Sequence, residues 1–417
     1  DDSRGGRDHS CHNNSIGSTV SKGKAIMGRG SGQDTCAFGL LCILILAVLC
    51  YIFLSSTARI TVKVAGVGHA PGLFDDLSTA SASDIIKFNI QRIQEIRPTT
   101  AWQAPIAEDM PFDSLYNIVE RWNPDVPEVP PGFKESLQHF DYGDPAERAA
   151  AERFRNAELP FKLFNVTDFN RVAEKWTDRY LHNNLDGEKR THVERSKSNH
   201  FMYWSQGGGR SMRGFKAPTD IIDMTFADWL VKAKDADSGH LGNATEHLYF
   251  MSNAPPRDRS GSFIAKDLGL FSTQQENFFI TNVRANKGIQ CRFGMRGIIA
   301  ESHYDSGRNM VVMLKGEKRY ILTPPWSCKK LGIISDKKHP SYRHSVIDWS
   351  DLQQAASRGF SKVDAIDTIV RTGEVLYIPT YWFHYIVSLR YSIQCNSRSG
   401  TPPDKQGYNH VSLCMHN

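Results

Sequence analysis

Residues 302–325 read SHYDSGRNMVVMLKGEKRYILTPP, and the fold class follows from how this stretch alternates. In an extended strand, residues two apart point to the same face, so His303 and Asp305 converge while Tyr304 turns away. Residues 310–314 and 318–322 are β-rich runs joined by Lys315-Gly316-Glu317, which predicts a hairpin with glycine at its turn. On the second run Lys318, Tyr320 and Leu322 share a face. If that face is interior it carries a lysine, which is costly to bury unless an anion meets it.

The pattern continues on both sides. Gly373-Glu374 predicts a turn before a strand over 375–379, residues 380–383 another turn, and His384 opens a strand over 384–389. The last strand, 391–398, places Ser392, Gln394 and Asn396 on one face and Ile393 and Cys395 on the other. A polar face in such apolar sequence reads as the lining of a cavity. From residue 246 onward, short apolar runs alternate with turns, as in an antiparallel sandwich or barrel. Upstream, the spacing of Val172, Trp176 and Tyr180 predicts a helix over 169–185. Ile221, Met224, Phe226, Trp229 and Leu230 predict a second over 220–234. The class is therefore α+β. The glycines of SQGGGRSMRGFKA (205–217) have neither dinucleotide-binding nor P-loop spacing, so that segment reads as a loop.

Two histidines and one carboxylate on a single face leave coordination positions open, the arrangement of non-haem iron(II) oxygenases. A lysine near such a site would pair with the far carboxylate of a dicarboxylate cosubstrate. With these motifs in place, residues 158–400 resemble the cupin-like JmjC oxygenase family, which depends on Fe(II) and 2-oxoglutarate. GMRGIIAESHYDSGRNMVVMLKGEKRYILTPP (294–325) and GEVLYIPTYWFHYIVSL (373–389) are similar to segments of the asparaginyl hydroxylase acting on hypoxia-inducible factor. The resemblance implies a double-stranded β-helix (jelly-roll, cupin) core with flanking helices. It implies His303, Asp305 and His384 as iron ligands and Lys318 and Tyr249 as partners of the 2-oxoglutarate carboxylate. Asn309 and Asn396 would line the same pocket. One position departs: where the hydroxylase has a threonine contacting 2-oxoglutarate, this chain has Ala300. The implied activity is hydroxylation of a C–H bond of a protein or peptide side chain. A catalytically silent cupin-like binding module and a JmjC lysine demethylase are the alternatives.

The remainder of the 417 residues adds appendages. Residues 1–36, rich in Gly, Ser and Asn, read as a tail. Residues 37–54, AFGLLCILILAVLCYIFL, carry no charge; as a helix they would measure about 27 Å, close to the thickness of bilayer hydrocarbon. A transmembrane signal-anchor is therefore expected over 37–55. Arg4, Arg7, Lys22, Lys24 and Arg29 precede it and only Arg59 and Lys63 follow closely, which favours a lumenal (ER/Golgi) or extracellular catalytic domain. The triplets Asn165-Val166-Thr167 and Asn243-Ala244-Thr245 would suit that side. Residues 56–157 form a stem and Pro-rich lead-in, with a helix expected over 83–96 capped by Ser83, and 401–417 a C-terminal tail. The net charge of +5 is spread thinly, and no basic run proposes nucleic-acid binding. Cys291, Cys328, Cys395 and Cys414 lie past the anchor without a CxxC pair, leaving room for one or two disulfides but not a zinc ribbon.

Overall fold

The computed structural model describes residues 80–96, 110–205, 214–238, 246–256 and 261–414. The expected tail and anchor, residues 1–55, lie outside the described residues, as do 206–213 of the glycine-rich loop and the triplet at Asn243. Among the described residues, no helix is long and apolar enough to cross a membrane.

Fifteen strands are described. The first seven are β1 (Asp113–Ser114), β2 (His139–Asp141), β3 (Phe161–Phe164), β4 (Thr191–Ser196), β5 (His200–Phe201), β6 (Asp220–Met224) and β7 (His247–Ala254). The next four are β8 (Ile289–Gly294), β9 (Ile299–Tyr304), β10 (Asn309–Lys315) and β11 (Glu317–Thr323). The last four are β12 (Asp364–Arg371), β13 (Val375–Ile378), β14 (Phe383–Ser388) and β15 (Ser392–Arg398). They form two sheets, ordered β1-β12-β11-β14-β9-β5 and β2-β3-β13-β10-β15-β8-β7-β4-β6. From β9 to β15 the chain passes repeatedly between the sheets, giving a jelly-roll sandwich.

That crossing corrects the predicted hairpin. β10 pairs with β13 and β15, whereas β11 pairs with β12 and β14. Lys315-Gly316-Glu317 is thus a corner between sheets. The local sequence does specify the bend: Gly316 has φ +70°, and a Cβ there would lie 2.2 Å from the Tyr391 carbonyl oxygen. Which strand pairs with which is decided instead by the two faces each strand must bury.

Two predicted helices are divided. Residues 167–185 form helices Thr167–Lys175 and Asp178–Asn184, because the Thr177 hydroxyl accepts from the Tyr180 amide and starts the second. Trp176 and Tyr180 still reach one point, donating to Asp267 Oδ2 at 2.8 and 2.7 Å. Residues 220–224 are the edge strand β6, and the helix runs Phe226–Asp237 with Thr225 as its cap. In the stem, the helix is Ala82–Ile96, and Ser81 rather than Ser83 accepts from the Asp84 amide. Its Ile86 is buried in the main core, and Ile93 is buried as well.

The outer face of the six-stranded sheet, with Ile299, Ile321, Tyr385 and Val387, is covered by Leu115, Ile118, Trp122 and Trp349. A larger core lies around the nine-stranded sheet. Cys291–Cys395 joins β8 to β15, and Cys328–Cys414 ties the C-terminal helix Gln406–Ser412 to the turn Pro325–Lys330.

Candidate active site

The site lies between the sheets. On the six-stranded sheet, β14 and β9 bring His384 opposite His303. The register then slips: Ile386 pairs with Ala300, so 301 and 302 oppose only Tyr385. This bulge turns both His303 and Ala300 inward, which strict alternation would not allow. The two imidazole centroids are 4.2 Å apart, and Asp305 Oδ2 lies 3.9 Å from His384 Nε2. The ligand atoms of His303, Asp305 and His384 all fall within 4.8 Å of one another.

Neighbouring groups fix which atoms face the centre. His303 Nδ1 lies 2.7 Å from the Glu301 carbonyl and His384 Nδ1 3.2 Å from the Trp382 carbonyl. A carbonyl can only accept, so both Nδ1 atoms carry hydrogen and both Nε2 atoms keep a lone pair for a metal. Asp305 Oδ1 accepts from Arg343 at 3.1 Å and also from Arg398. Oδ2, 3.3 Å from Asn309 Nδ2, remains directed at the histidines. Burial would raise the Asp305 carboxyl, but the Arg398 and Arg343 guanidiniums beside it hold it far below the usual range, so it is an anion. Burial lowers both histidines, keeping their rings neutral. An anionic oxygen and two neutral imidazoles are the protonation states that coordination needs. The donor set therefore fits a divalent transition metal such as iron(II).

The same two sheets carry the remaining candidate residues. Lys318 is fully buried, and its Nζ donates to the Tyr249 hydroxyl at 3.2 Å. Among the described residues no carboxylate lies within 4 Å of that amine. Asn396 Nδ2 donates to Asn309 Oδ1 at 2.9 Å, and the Tyr320 hydroxyl donates to Gln394 at 2.5 Å. Of the seven residues singled out in the sequence, His303, Asp305 and His384 cluster, Asn309 bonds both Asp305 and Asn396, and Lys318 bonds Tyr249.

The family of cupin-like domains matches residues 147–398, well over half of the chain. The chain belongs to that family. Among curated relatives it is similar to tRNA wybutosine-synthesizing protein 5 of Danio rerio, with 30% identity over 209 residues covering 46% of this chain and 60% of that protein. It is also similar to lysine-specific demethylase JMJ30 of Arabidopsis thaliana, 28% identical over 107 residues, 26% of this chain and 24% of that one. JmjC domain-containing protein D of Dictyostelium discoideum is 28% identical over 111 residues, covering 27% and 25%. The chain spans 60% or less of the length of these relatives.

The cupin-like domain also carries residues that the sequence reading did not single out. His344 stacks on His303 at 4.9 Å and 20°, and a backbone bridge holds the two residues together. Arg343 sits at φ +78°, an unusual conformation for a non-glycine residue, with its guanidinium on Asp305. Arg398 lies two residues beyond Asn396 on the same strand face, so alternation could have found it. Arg343 and His344 come from a loop whose path no periodicity describes.

Proposed function

We propose that this chain is an Fe(II)- and 2-oxoglutarate-dependent oxygenase that hydroxylates a C–H bond of a protein side chain. One observation carries the reading: a two-histidine, one-carboxylate cluster lies in the same sandwich as a buried lysine that, among the described residues, has no carboxylate within 4 Å. His303, Asp305 and His384 would hold the metal, which when bound supplies the oxygen-activating chemistry. Lys318 and the Tyr249 hydroxyl would orient the far carboxylate of 2-oxoglutarate. Burial pushes the Tyr249 phenol up to about 12, so it stays protonated and able to donate. Asn309 and Asn396 would fix the wall beside the metal, and Arg343 and Arg398 would hold Asp305 in one orientation.

The protein-side-chain substrate rests on the resemblance to asparaginyl hydroxylase. Residues 37–55 would anchor the chain in a membrane, with the catalytic domain on the lumenal or extracellular side. The pairing of all four cysteines beyond the anchor supports an oxidising compartment. The sequon at Asn165 adds little, since its amide is committed to Asp141 at 2.9 Å.

The test is succinate release by the detergent-solubilised full chain given iron(II), ascorbate and 2-oxoglutarate with peptide libraries. A one-oxygen mass gain on a peptide is expected. Formaldehyde release would favour a demethylase, and no metal-dependent 2-oxoglutarate binding would leave only a silent module.

A pH dependence follows from Lys318. Burial, reinforced by Arg292, pushes its amine down to about 7 from an ordinary 10.5. Below that pH the ammonium is already formed in the empty pocket. Above it, a binding carboxylate must recruit a proton, and its charge raises the lysine again. Affinity for 2-oxoglutarate should therefore level off below about pH 7 and fall by up to about tenfold per unit above it. Calorimetry in buffers of different ionisation enthalpy should register proton uptake at about pH 8. Equal affinity from about pH 6 to about pH 9 would contradict this role for Lys318.

A further inference from the structure

We propose that Arg292 is a second cationic contact for the far carboxylate of the cosubstrate, replacing the donor that is absent at Ala300. The inference rests on the oxygenase reading above.

Arg292 lies on β8 between Gln394 of β15 and Met251 of β7. Its chain neighbour Phe293 faces outward, against Phe226, Trp229 and Phe250, and Cys291 is in the disulfide to β15. Arg292 therefore points into the space between the sheets. Tyr249, the partner of Lys318, pairs with Gly294, the next inward position along β8. Ala300 lies near this group: Phe201 pairs with it across β5 and meets Tyr249 edge-to-face at 5.6 Å.

The guanidinium donates to Asn253 Oδ1 at 3.2 Å and to the Cys291 carbonyl at 3.4 Å. Among the described residues it has no carboxylate within 4 Å. The acid that feels it most is Glu194, whose own carboxyl burial pushes upward, toward the neutral form. Arg343 and Arg398, by contrast, both lie on Asp305. Arg292 and Lys318 are thus two cations facing the same space between the sheets, Arg292 adds to the burial that lowers Lys318, and among the described residues neither has a carboxylate within 4 Å. Such a pair is unfavourable until an anion arrives. A guanidinium fork beside an ammonium matches the two oxygens of one carboxylate.

Calorimetry on the full chain loaded with manganese(II), an oxygen-stable stand-in for iron(II), separates the possibilities. Arg292→Leu should weaken 2-oxoglutarate at least about tenfold, or about 1.4 kcal/mol. It should leave 2-oxobutyrate, which lacks the far carboxylate, unchanged. Arg292→Gln keeps the bond to Asn253 and carries the same expectation should the leucine variant fold poorly. Adding Ala300→Thr to either variant should restore part of the loss. Unchanged 2-oxoglutarate affinity with intact manganese binding overturns the inference, as does an equal loss for both ligands, which marks a structural role. If the unaltered protein binds manganese but no 2-oxoglutarate, the oxygenase reading itself fails, and this inference with it.

Discussion

Replacing His384 with alanine is expected to abolish turnover, lowering succinate release at least about a thousandfold, equivalent to about 4 kcal/mol in the barrier. Of the three candidate ligands, His384 is the one whose loss is cleanest to interpret. Its ring is buried, its Nδ1 meets the Trp382 carbonyl, and among the described residues its ring contact is with His303. Removing it leaves a cavity and two ligands. Asp305→Ala would instead strand Arg343 and Arg398, mixing a folding defect with the chemical one. The accompanying measurement is manganese(II) affinity, which should fall by two orders of magnitude or more on the scale of removing a ligand rather than its support. Arg398→Leu should lie between, about tenfold to a hundredfold weaker in metal affinity, because it releases Asp305 without removing it. A His384→Ala protein that binds metal and cosubstrate normally would end the assignment of this site.

How much of this was legible depended on whether the informative contact was local. His303 and Asp305 are two residues apart, and the turn at 380–383 announces the strand of His384, so the cluster could be assembled from the chain itself. Asn396 and Gln394 follow from alternation on β15, and Arg398 and Arg292 were within reach of the same argument. The bulge at 301–302 was not, since a register slip is fixed by the partner strand β14 and leaves no periodic trace. The corner at Gly316 shows the same division. Its glycine is required by φ, and the sequence shows it, but a hairpin and a crossing between sheets need the same residue there. Thr177 and Thr225 are cap residues that lie inside apolar patterns running on past them, so the periodicity alone does not mark the breaks. His344 and Arg343 reach the site only through a folded loop, so only three-dimensional structure could place them.

The lead-in before residue 147 supplies the second large effect. Lys162 on β3 is fully buried and donates to Glu135 at 2.6 Å, to Glu374 at 3.0 Å and to the Ile369 carbonyl at 2.5 Å. Glu135 also meets Arg371, His139 and Arg92. Burial alone would raise the Glu135 carboxyl, but Arg371 and Lys162 overcome it and hold it well below its ordinary 4.5. The cluster thus clamps the lead-in onto β3, β12 and β13, and β13 pairs with β10, which carries Asn309. Lys162→Met is expected to cost about 3–5 kcal/mol, because two buried carboxylates lose a cation that water cannot replace. Thermal or urea unfolding of the full chain would read this. Adding Glu135→Gln should return at least about 1 kcal/mol relative to the sum of the single changes, since the neutral amide no longer needs that lysine. Acid sharpens the test. The carboxyls titrate lower in the folded state than in the unfolded one, so their contribution is complete above about 4.5 and lost as pH falls beneath it. The unaltered protein should therefore lose stability on acidification more steeply than Lys162→Met, in which that contribution is already gone. A loss under about 1 kcal/mol, with no difference in acid sensitivity, would mean that the cluster is held in place by the sheets rather than holding them.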